Sequence, residues 1–233
     1  MIIKNSAIIL AGGTGSRFGE STPKQFLNLN GSRVIDYSIY EFIRHLKIDE
    51  VIIVVHKEWK RIIAKENRNC KVIVGGDTRT ASSLKGLEAC NKSCQNVFIH
   101  DAARPIVNRG MIDVSIRYFE NSKYDAVVPV IQPVDSYITD PKLVKNNIRV
   151  KGNMIKYNDR NTLKIIQTPQ VFRYSKILSA YKNIDKSWSD DLSVLIKYNQ
   201  DCNVMLTDGS FTNIKITNPI DLKIAESLLN NEK

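Results

Sequence analysis

The sequence predicts an α/β fold built on a doubly wound, mostly parallel sheet with helices on both faces. Three observations carry this. Short runs of continuous Val and Ile recur through the first half of the chain, as in Glu50-Val51-Ile52-Ile53-Val54-Val55, and strands buried on both faces read this way. Stretches of helical period separate these runs. The first run passes directly into a glycine-rich loop, the place where open α/β sheets bind ligands.

Taken in order, strands are expected over residues 6–10, 50–55, 71–74, 96–99 and 126–130. Helices are expected over 34–44, 57–66, 80–90 and 111–120. Crossovers between parallel strands are right-handed, which yields a sandwich of helices around one sheet. The alternation stops after Pro133. Residues 133–166 are polar and rich in Asn and Lys, too long a stretch for a passive loop in a compact domain. They read as a β-arm leaving the body. Helices at 173–181 and 190–198, strands at 203–206 and 212–216, and a helix at 219–229 complete the chain. Pro219 falls near the first turn of the last helix, where its missing N–H costs nothing.

The 233 residues fit a single domain, 1–233, with the arm as an insertion. There is no run of 18 apolar residues, so no membrane span is expected. The apolar start reads as a buried strand and not a signal peptide. Cys90 and Cys94 lie four apart with no second pair or histidine at ligand spacing, which disfavours zinc and suits free thiols in a reducing cytoplasm. The net charge of +10 comes without a block of five or more basic residues. Aromatic and basic residues are not interleaved as in a nucleic-acid stacking platform. A polyphosphate substrate accounts for the charge more simply.

The segment Leu10-Ala11-Gly12-Gly13-Thr14-Gly15-Ser16-Arg17-Phe18-Gly19, followed by Pro23-Lys24-Gln25, carries the most information. Glycines let backbone N–H groups close on phosphate oxygens. Arg17 and Lys24 add two cations, which suit a triphosphate whose α-phosphorus is attacked only after charge neutralisation. A dinucleotide loop is the competing reading. Its G-x-G-x-x-G pattern fails by one residue, and G-x-x-x-x-G-K-[ST] is absent. In Gly75-Gly76-Asp77-Thr78-Arg79-Thr80-Ala81-Ser82, Asp77 and Ser82 can read a base edge beside two glycines, or the segment is simply a turn before a capped helix. In His100-Asp101-Ala102-Ala103-Arg104-Pro105, Asp101 can hold Mg²⁺, which takes oxygen ligands and bridges substrate phosphates. His100 reads as a satisfied sheet-edge histidine. Ser189 reads as a helix N-cap, and Lys215 and Asp159-Arg160 are ordinary by composition.

Together these segments resemble the CTP-dependent 2-C-methyl-D-erythritol 4-phosphate cytidylyltransferases, whose relatives act on ribitol 5-phosphate. The resemblance runs from Ile8 to Leu229 and has a Rossmann-like nucleotidyltransferase fold as its implication. It rests on the two glycine segments, His100–Pro105, Pro133-Val134-Asp135-Ser136, Asp159-Arg160, Gln167-Thr168-Pro169-Gln170, Ser189-Asp190-Asp191 and Asn213–Leu222. It implies that Arg17 and Lys24 clamp the CTP phosphates, and that Ala11, Gly12, Gly13 and Gly15 line the nucleotide loop. Gly76, Asp77 and Ser82 would contact cytidine, and Asp101 would sit by Mg²⁺. Ser136, Arg160, Thr168, Ser189 and Lys215 would handle the acceptor phosphate and the α-phosphate. It further implies a homodimer in which the arm brings Ser136 and Arg160 to the neighbouring subunit's site. The Leu10-Ala11-Gly12-Gly13 spelling matches the ribitol relatives. His100–Pro105, the Thr168 segment and the Ser189 segment match the methylerythritol enzymes, which gives methylerythritol 4-phosphate as the expected acceptor and ribitol 5-phosphate as the alternative. Three competing readings are weaker. A glycosyltransferase using a nucleotide sugar wants Asp-x-Asp where the chain has His100-Asp101-Ala102. A nucleic-acid-binding module predicts strongly salt-sensitive binding. A nucleotide binder without catalysis sits poorly with the intact Arg17, Lys24, Asp101 and Lys215.

Overall fold

The computed structural model describes residues 4–13, 22–120, 123–139, 156–184 and 188–231. Strand β1 (Asn5–Ala11) lies between β4 (Glu50–Val55) and β6 (Asn96–Asp101), and β5 (Lys71–Val74) flanks β4, all parallel. The chain moves from β1 outward to β4 and β5 and then returns to the other side of β1 as β6. The order therefore reverses between β1 and β6, which opens a crevice at their carboxyl ends. Beyond β6 the sheet continues through β11 (Gln170–Arg173), antiparallel to both β6 and β7 (Ala126–Ile131). Strand β10 (Ile165–Ile166) is also antiparallel to β7, and β12 (Val204–Asp208) is parallel to it. Between β10 and β11 the ladder is interrupted at Gln167-Thr168-Pro169, where the proline has no N–H to donate.

Side chains alternate between the faces of each central strand, and both faces are apolar. Ala7, Ile9, Val51, Ile53 and Phe98 pack under α1 (Val34–Arg44), α2 (Lys57–Glu66) and α4 (Arg109–Glu120). Ile8, Ile52, Val54, Val97 and Ile99 pack under α3 (Arg79–Ala89), α5 (Tyr174–Lys182) and α6 (Asp191–Tyr198). The close approach of α3 requires Gly86, whose position leaves no room for a Cβ: it would lie 2.6 Å from Ile8 Cγ2. A third cluster seats α7 (Pro219–Asn231) against the hairpin of β2 (Asn28–Leu29) and β3 (Ser32–Arg33).

Several expectations need correction. Residues 170–173 form β11, so the helix expected from 173 begins at Tyr174. Residues 212–216 form no strand, and Ile216 instead donates its N–H to the Ala103 carbonyl at 2.8 Å. Part of the arm is an antiparallel pair, β8 (Tyr137–Thr139) with β9 (Lys156–Asn158), while residues 140–155 lie outside the described residues. The arm ends before β10, because Ile165 and Ile166 belong to the main sheet. His100 is on an interior strand and not at a sheet edge.

Candidate active site

Three strands deliver their carboxyl ends to the same crevice. Leu10 of β1 is in register with Asp101 of β6, Ala11 with Val55, and Val55 with Val74. Ala11-Gly12-Gly13, Gly75-Gly76 and Asp101 thereby share one end of the sheet.

Asp101 is 9% exposed and ion-paired with two cations. Lys215 Nζ donates to one carboxylate oxygen at 2.6 Å, and Arg79 donates to the other through Nε and Nη2, each at 3.2 Å. Burial pushes the Asp101 carboxyl up, but Arg79, Lys215 and Arg104 together outweigh it and hold the group well below the usual carboxylate range. It is therefore an ionised carboxylate at any working pH. Behind Arg79 stands Asp191, fully buried, which accepts from Arg79 Nη2 at 2.6 Å, Ser83 Oγ at 2.9 Å and Tyr181 Oη at 2.5 Å. Burial opposes the Arg79 charge, yet Asp191 and then Asp101 raise its pKa above the ordinary guanidinium value. The Tyr181 phenol is pushed up by burial and by Asp191, so it remains a donor. A buried charge is tolerated when paired and hydrogen-bonded on all sides, and Asp191 meets that condition.

The second network lies under Thr168, which is 4% exposed. Its hydroxyl accepts the Asp101 N–H at 3.1 Å and lies 3.1 Å from His100 Nδ1. His100 Nε2 is 3.0 Å from the Arg104 carbonyl. Since a carbonyl only accepts, the network assigns the proton to Nε2 and leaves Nδ1 to accept from Thr168. Burial lowers the His100 pKa to about 4, so the ring is neutral and structural, as the sequence suggested. Arg104 Nη1 donates to the Asn213 carbonyl at 2.7 Å, and Asn213 Nδ2 donates to the Thr168 carbonyl at 2.9 Å. This bonding takes the place of the strand expected at 212–216 and sets Lys215 opposite Asp101.

The rest of the crevice is built from glycines around Ser82. Its hydroxyl accepts the Gly76 N–H at 3.1 Å and donates to the Gly76 carbonyl at 3.2 Å. A Cβ on Gly75 would lie 2.7 Å from that hydroxyl, and one on Gly12 3.2 Å from it. Ser82 thus closes the gap between the two glycine segments. Helix α3 begins at Arg79, and Thr78 caps it by accepting the Ala81 N–H at 3.0 Å. Asp77 is exposed just before the cap. Lys24 is half-buried on a 3₁₀ turn (Lys24–Phe26); burial pushes the Asp221 carboxyl up, and hydrogen bonds from Thr217 and Asn218, with the Lys24 charge last, hold it below its ordinary range.

Of the residues expected at a site, the structure gathers Ala11, Gly12, Gly13, Gly76, Ser82, Asp101, Thr168 and Lys215 at this end of the sheet. Arg17 and Gly15 lie outside the described residues. Ser189 is exposed and is not the N-cap of α6; Asp190 is, accepting the Ser193 N–H at 3.1 Å. Ser136 and Arg160 are exposed on the arm, where Arg160 Nη1 donates to the Val134 carbonyl at 3.2 Å. Among the described residues no hydrogen bond joins these two to the Asp101 cluster. Sequence reasoning assigned no role to Gln25, Arg79, Arg104 or Asp191. Each stands inside a motif quoted for its neighbours, which was the available signal.

A Mg²⁺ ion keeps several waters and binds through one or two carboxylates plus substrate phosphates. Asp101, ionised at the crevice, fits that requirement. Among the described residues no cluster of three metal-ligating side chains is present.

The family model for 2-C-methyl-D-erythritol 4-phosphate cytidylyltransferase matches residues 5–231. The chain is 38% identical to the protein of that name from Clostridium botulinum (strain ATCC 19397 / Type A), covering 97% of each. It is 37% identical to that of Clostridioides difficile (strain 630), covering 98% of this chain and 94% of the relative. The crystal structure of 4-diphosphocytidyl-2C-methyl-D-erythritol synthase from Anaerococcus prevotii superposes with a TM-score of 0.82 at 25% identity, over 98% of this chain and 96% of that one.

Proposed function

Because the chain belongs to the 2-C-methyl-D-erythritol 4-phosphate cytidylyltransferase family, we propose that its crevice joins CTP to 2-C-methyl-D-erythritol 4-phosphate through the residues gathered around Asp101. The enzyme is a CTP-dependent nucleotidyltransferase of isoprenoid precursor synthesis. The observation that best supports this assignment of residues is the Lys215–Asp101–Arg79 cluster at the carboxyl end of β6, facing two glycine segments across the sheet's switch point.

Gly12 and Gly13 offer backbone N–H groups to the triphosphate, with Lys24 and Arg17 as its cations. Gly76, Asp77 and Ser82 read the cytosine. Lys215, Thr168 and Ser189 receive the acceptor phosphate and the α-phosphate, and the partner's arm supplies Ser136 and Arg160 in a homodimer. Asp101 would hold Mg²⁺, which supplies charge neutralisation to the phosphates when bound. An acceptor phosphate oxygen forms a bond to the CTP α-phosphorus, the α–β bridging P–O bond breaks, and its electron pair leaves on pyrophosphate. A phosphate monoester is already ionised at pH 7, so no general base is required. Positioning and fixed cations carry the rate. A cytoplasmic setting suits free thiols and soluble phosphorylated substrates. Among the described residues no helix is long and apolar enough to cross a membrane.

The test incubates the protein with CTP, Mg²⁺ and 2-C-methyl-D-erythritol 4-phosphate and follows the products by phosphorus NMR. Coupled diphosphate resonances of a CDP-polyol with equimolar pyrophosphate are expected. Unchanged CTP would refute the assignment.

A further inference from the structure

We infer that Gln25 is a positioning residue for the nucleotide loop, holding the loop's carbonyls away from the phosphates and tying that loop to Lys24; this rests on the cytidylyl-transfer reading above. Gln25 is 4% exposed. Its Nε2 donates to the Ala11 carbonyl at 2.8 Å and to the Gly13 carbonyl at 2.7 Å. Both acceptors are fixed as carbonyls, so the amide must present its NH₂ and not its oxygen.

An anion loop needs its N–H groups facing the ligand and its carbonyls facing away. In a planar trans peptide, the C=O of one residue and the N–H of the next point in opposite directions. Drawing the Ala11 carbonyl onto Gln25 therefore turns the Gly12 N–H the other way. Drawing in the Gly13 carbonyl removes a second negative dipole from the same short segment. Glycines give this loop its freedom, and without a tie that freedom would let either peptide plane flip and present oxygen to phosphate.

The tie is itself anchored. Gln25 lies on the 3₁₀ turn between Lys24 and Phe26. Phe26 is 5% exposed and stacks on Trp59, with ring centroids 3.9 Å apart and planes 13° from parallel. Turn bonds from Phe26 N to the Pro23 carbonyl at 2.8 Å and from Val34 N to the Leu27 carbonyl at 3.0 Å fix the segment to the base of α1. Three consecutive residues thus have separate roles. Lys24 supplies charge, Gln25 sets the loop, and Phe26 holds both to the core.

Gln25→Glu and Gln25→Met separate this role from packing. Glu keeps the shape but places a carboxylate against two carbonyls, and Met removes both donors. In steady-state assays and in calorimetric titration of CTP with Mg²⁺, both variants should bind CTP roughly 10–100-fold more weakly at pH 8, the effect of losing two buried hydrogen bonds. The KM for the acceptor should stay within about twofold, and Gln25→Met should melt within about 10 °C of wild type, the scale of two lost buried bonds. Relative to wild type at the same pH, Gln25→Glu should regain CTP affinity toward pH 5.5, because a protonated carboxyl can donate one bond, whereas Gln25→Met should not. Folded variants that bind CTP as wild type does, or KM values that rise equally for both substrates with no acid recovery, would overturn the assignment. Wild-type protein that binds no CTP would overturn the function beneath it, and with it this role.

Discussion

Removing the Asp191 carboxylate should destabilise the protein strongly, although it stands behind Arg79 and not at the open crevice. Asp191→Ala deletes the acceptor for three donors, Arg79 at 2.6 Å, Ser83 at 2.9 Å and Tyr181 at 2.5 Å. Among the described residues it also leaves the Arg79 guanidinium, with a side chain 23% exposed, with Asp101 at 3.2 Å as its one remaining carboxylate partner. Breaking a buried ion pair by deleting one partner costs about 3–5 kcal/mol. In a chain of this size each kcal/mol moves the melting temperature by roughly 2–4 °C, so a fall of about 10–15 °C is expected by circular dichroism. Asp191→Asn keeps an oxygen for Arg79 and loses the charge; its amide can donate to the Ser83 and Tyr181 oxygens once those hydroxyls turn their protons away. Its fall should be about a third as large. Both variants should also lose turnover, since Arg79 orients Asp101. An Asp191→Ala protein melting within about 2 °C of wild type would refute the reasoning that this carboxylate anchors the site.

Further outcomes follow from the same geometry. Lys215→Ala and Lys24→Ala should each lower kcat by roughly 10²–10³-fold, the scale of a lost transition-state donor, measured by pyrophosphate release. Gly86→Ala should cost about 1–3 kcal/mol in urea unfolding, because the new methyl meets Ile8 at 2.6 Å and pushes α3 off the sheet. His45 is 3% exposed, and burial lowers its pKa despite Asp113 at 3.2 Å. A histidine whose folded pKa is depressed contributes stability above its unfolded value near 6.5 and loses it as pH falls through the folded value. His45→Gln should therefore show a smaller stability loss than wild type between pH 7.5 and 5.5. In mixed dimers of Arg160→Ala and Lys24→Ala protomers, activity should reappear at about a quarter to a half of wild type if arm and crevice act across subunits.

The central sheet was legible because buried parallel strands leave an unbroken signature. Helices α1 and α2 and strands β4 and β5 fall where their period places them. Legibility failed where long-range bonding decides conformation. Strand β11 is four residues long and follows a proline, and only its pairing with β6 and β7 makes it a strand. Residues 212–216 alternate as a strand does, yet their backbone is committed to Ala103, Arg104 and Gln167. The two glycine segments and Asp101 announced themselves by type and spacing. Arg79 did not, because an arginine at a helix start looks solvated until Asp191, 112 residues away, is found beneath it. Gln25 was hidden likewise, since a glutamine beside a lysine carries no signature until its amide is seen to hold two loop carbonyls.

The most direct test of the cytidylyl-transfer account compares acceptors side by side. With CTP and Mg²⁺ fixed, pyrophosphate release is measured against 2-C-methyl-D-erythritol 4-phosphate, ribitol 5-phosphate and glycerol 3-phosphate. The account predicts a kcat/KM for the methylerythritol substrate at least about 100-fold above the other two, the scale on which a pocket discriminates by one methyl or methylene group. Turnover confined to ribitol 5-phosphate, or none with any acceptor, would contradict it.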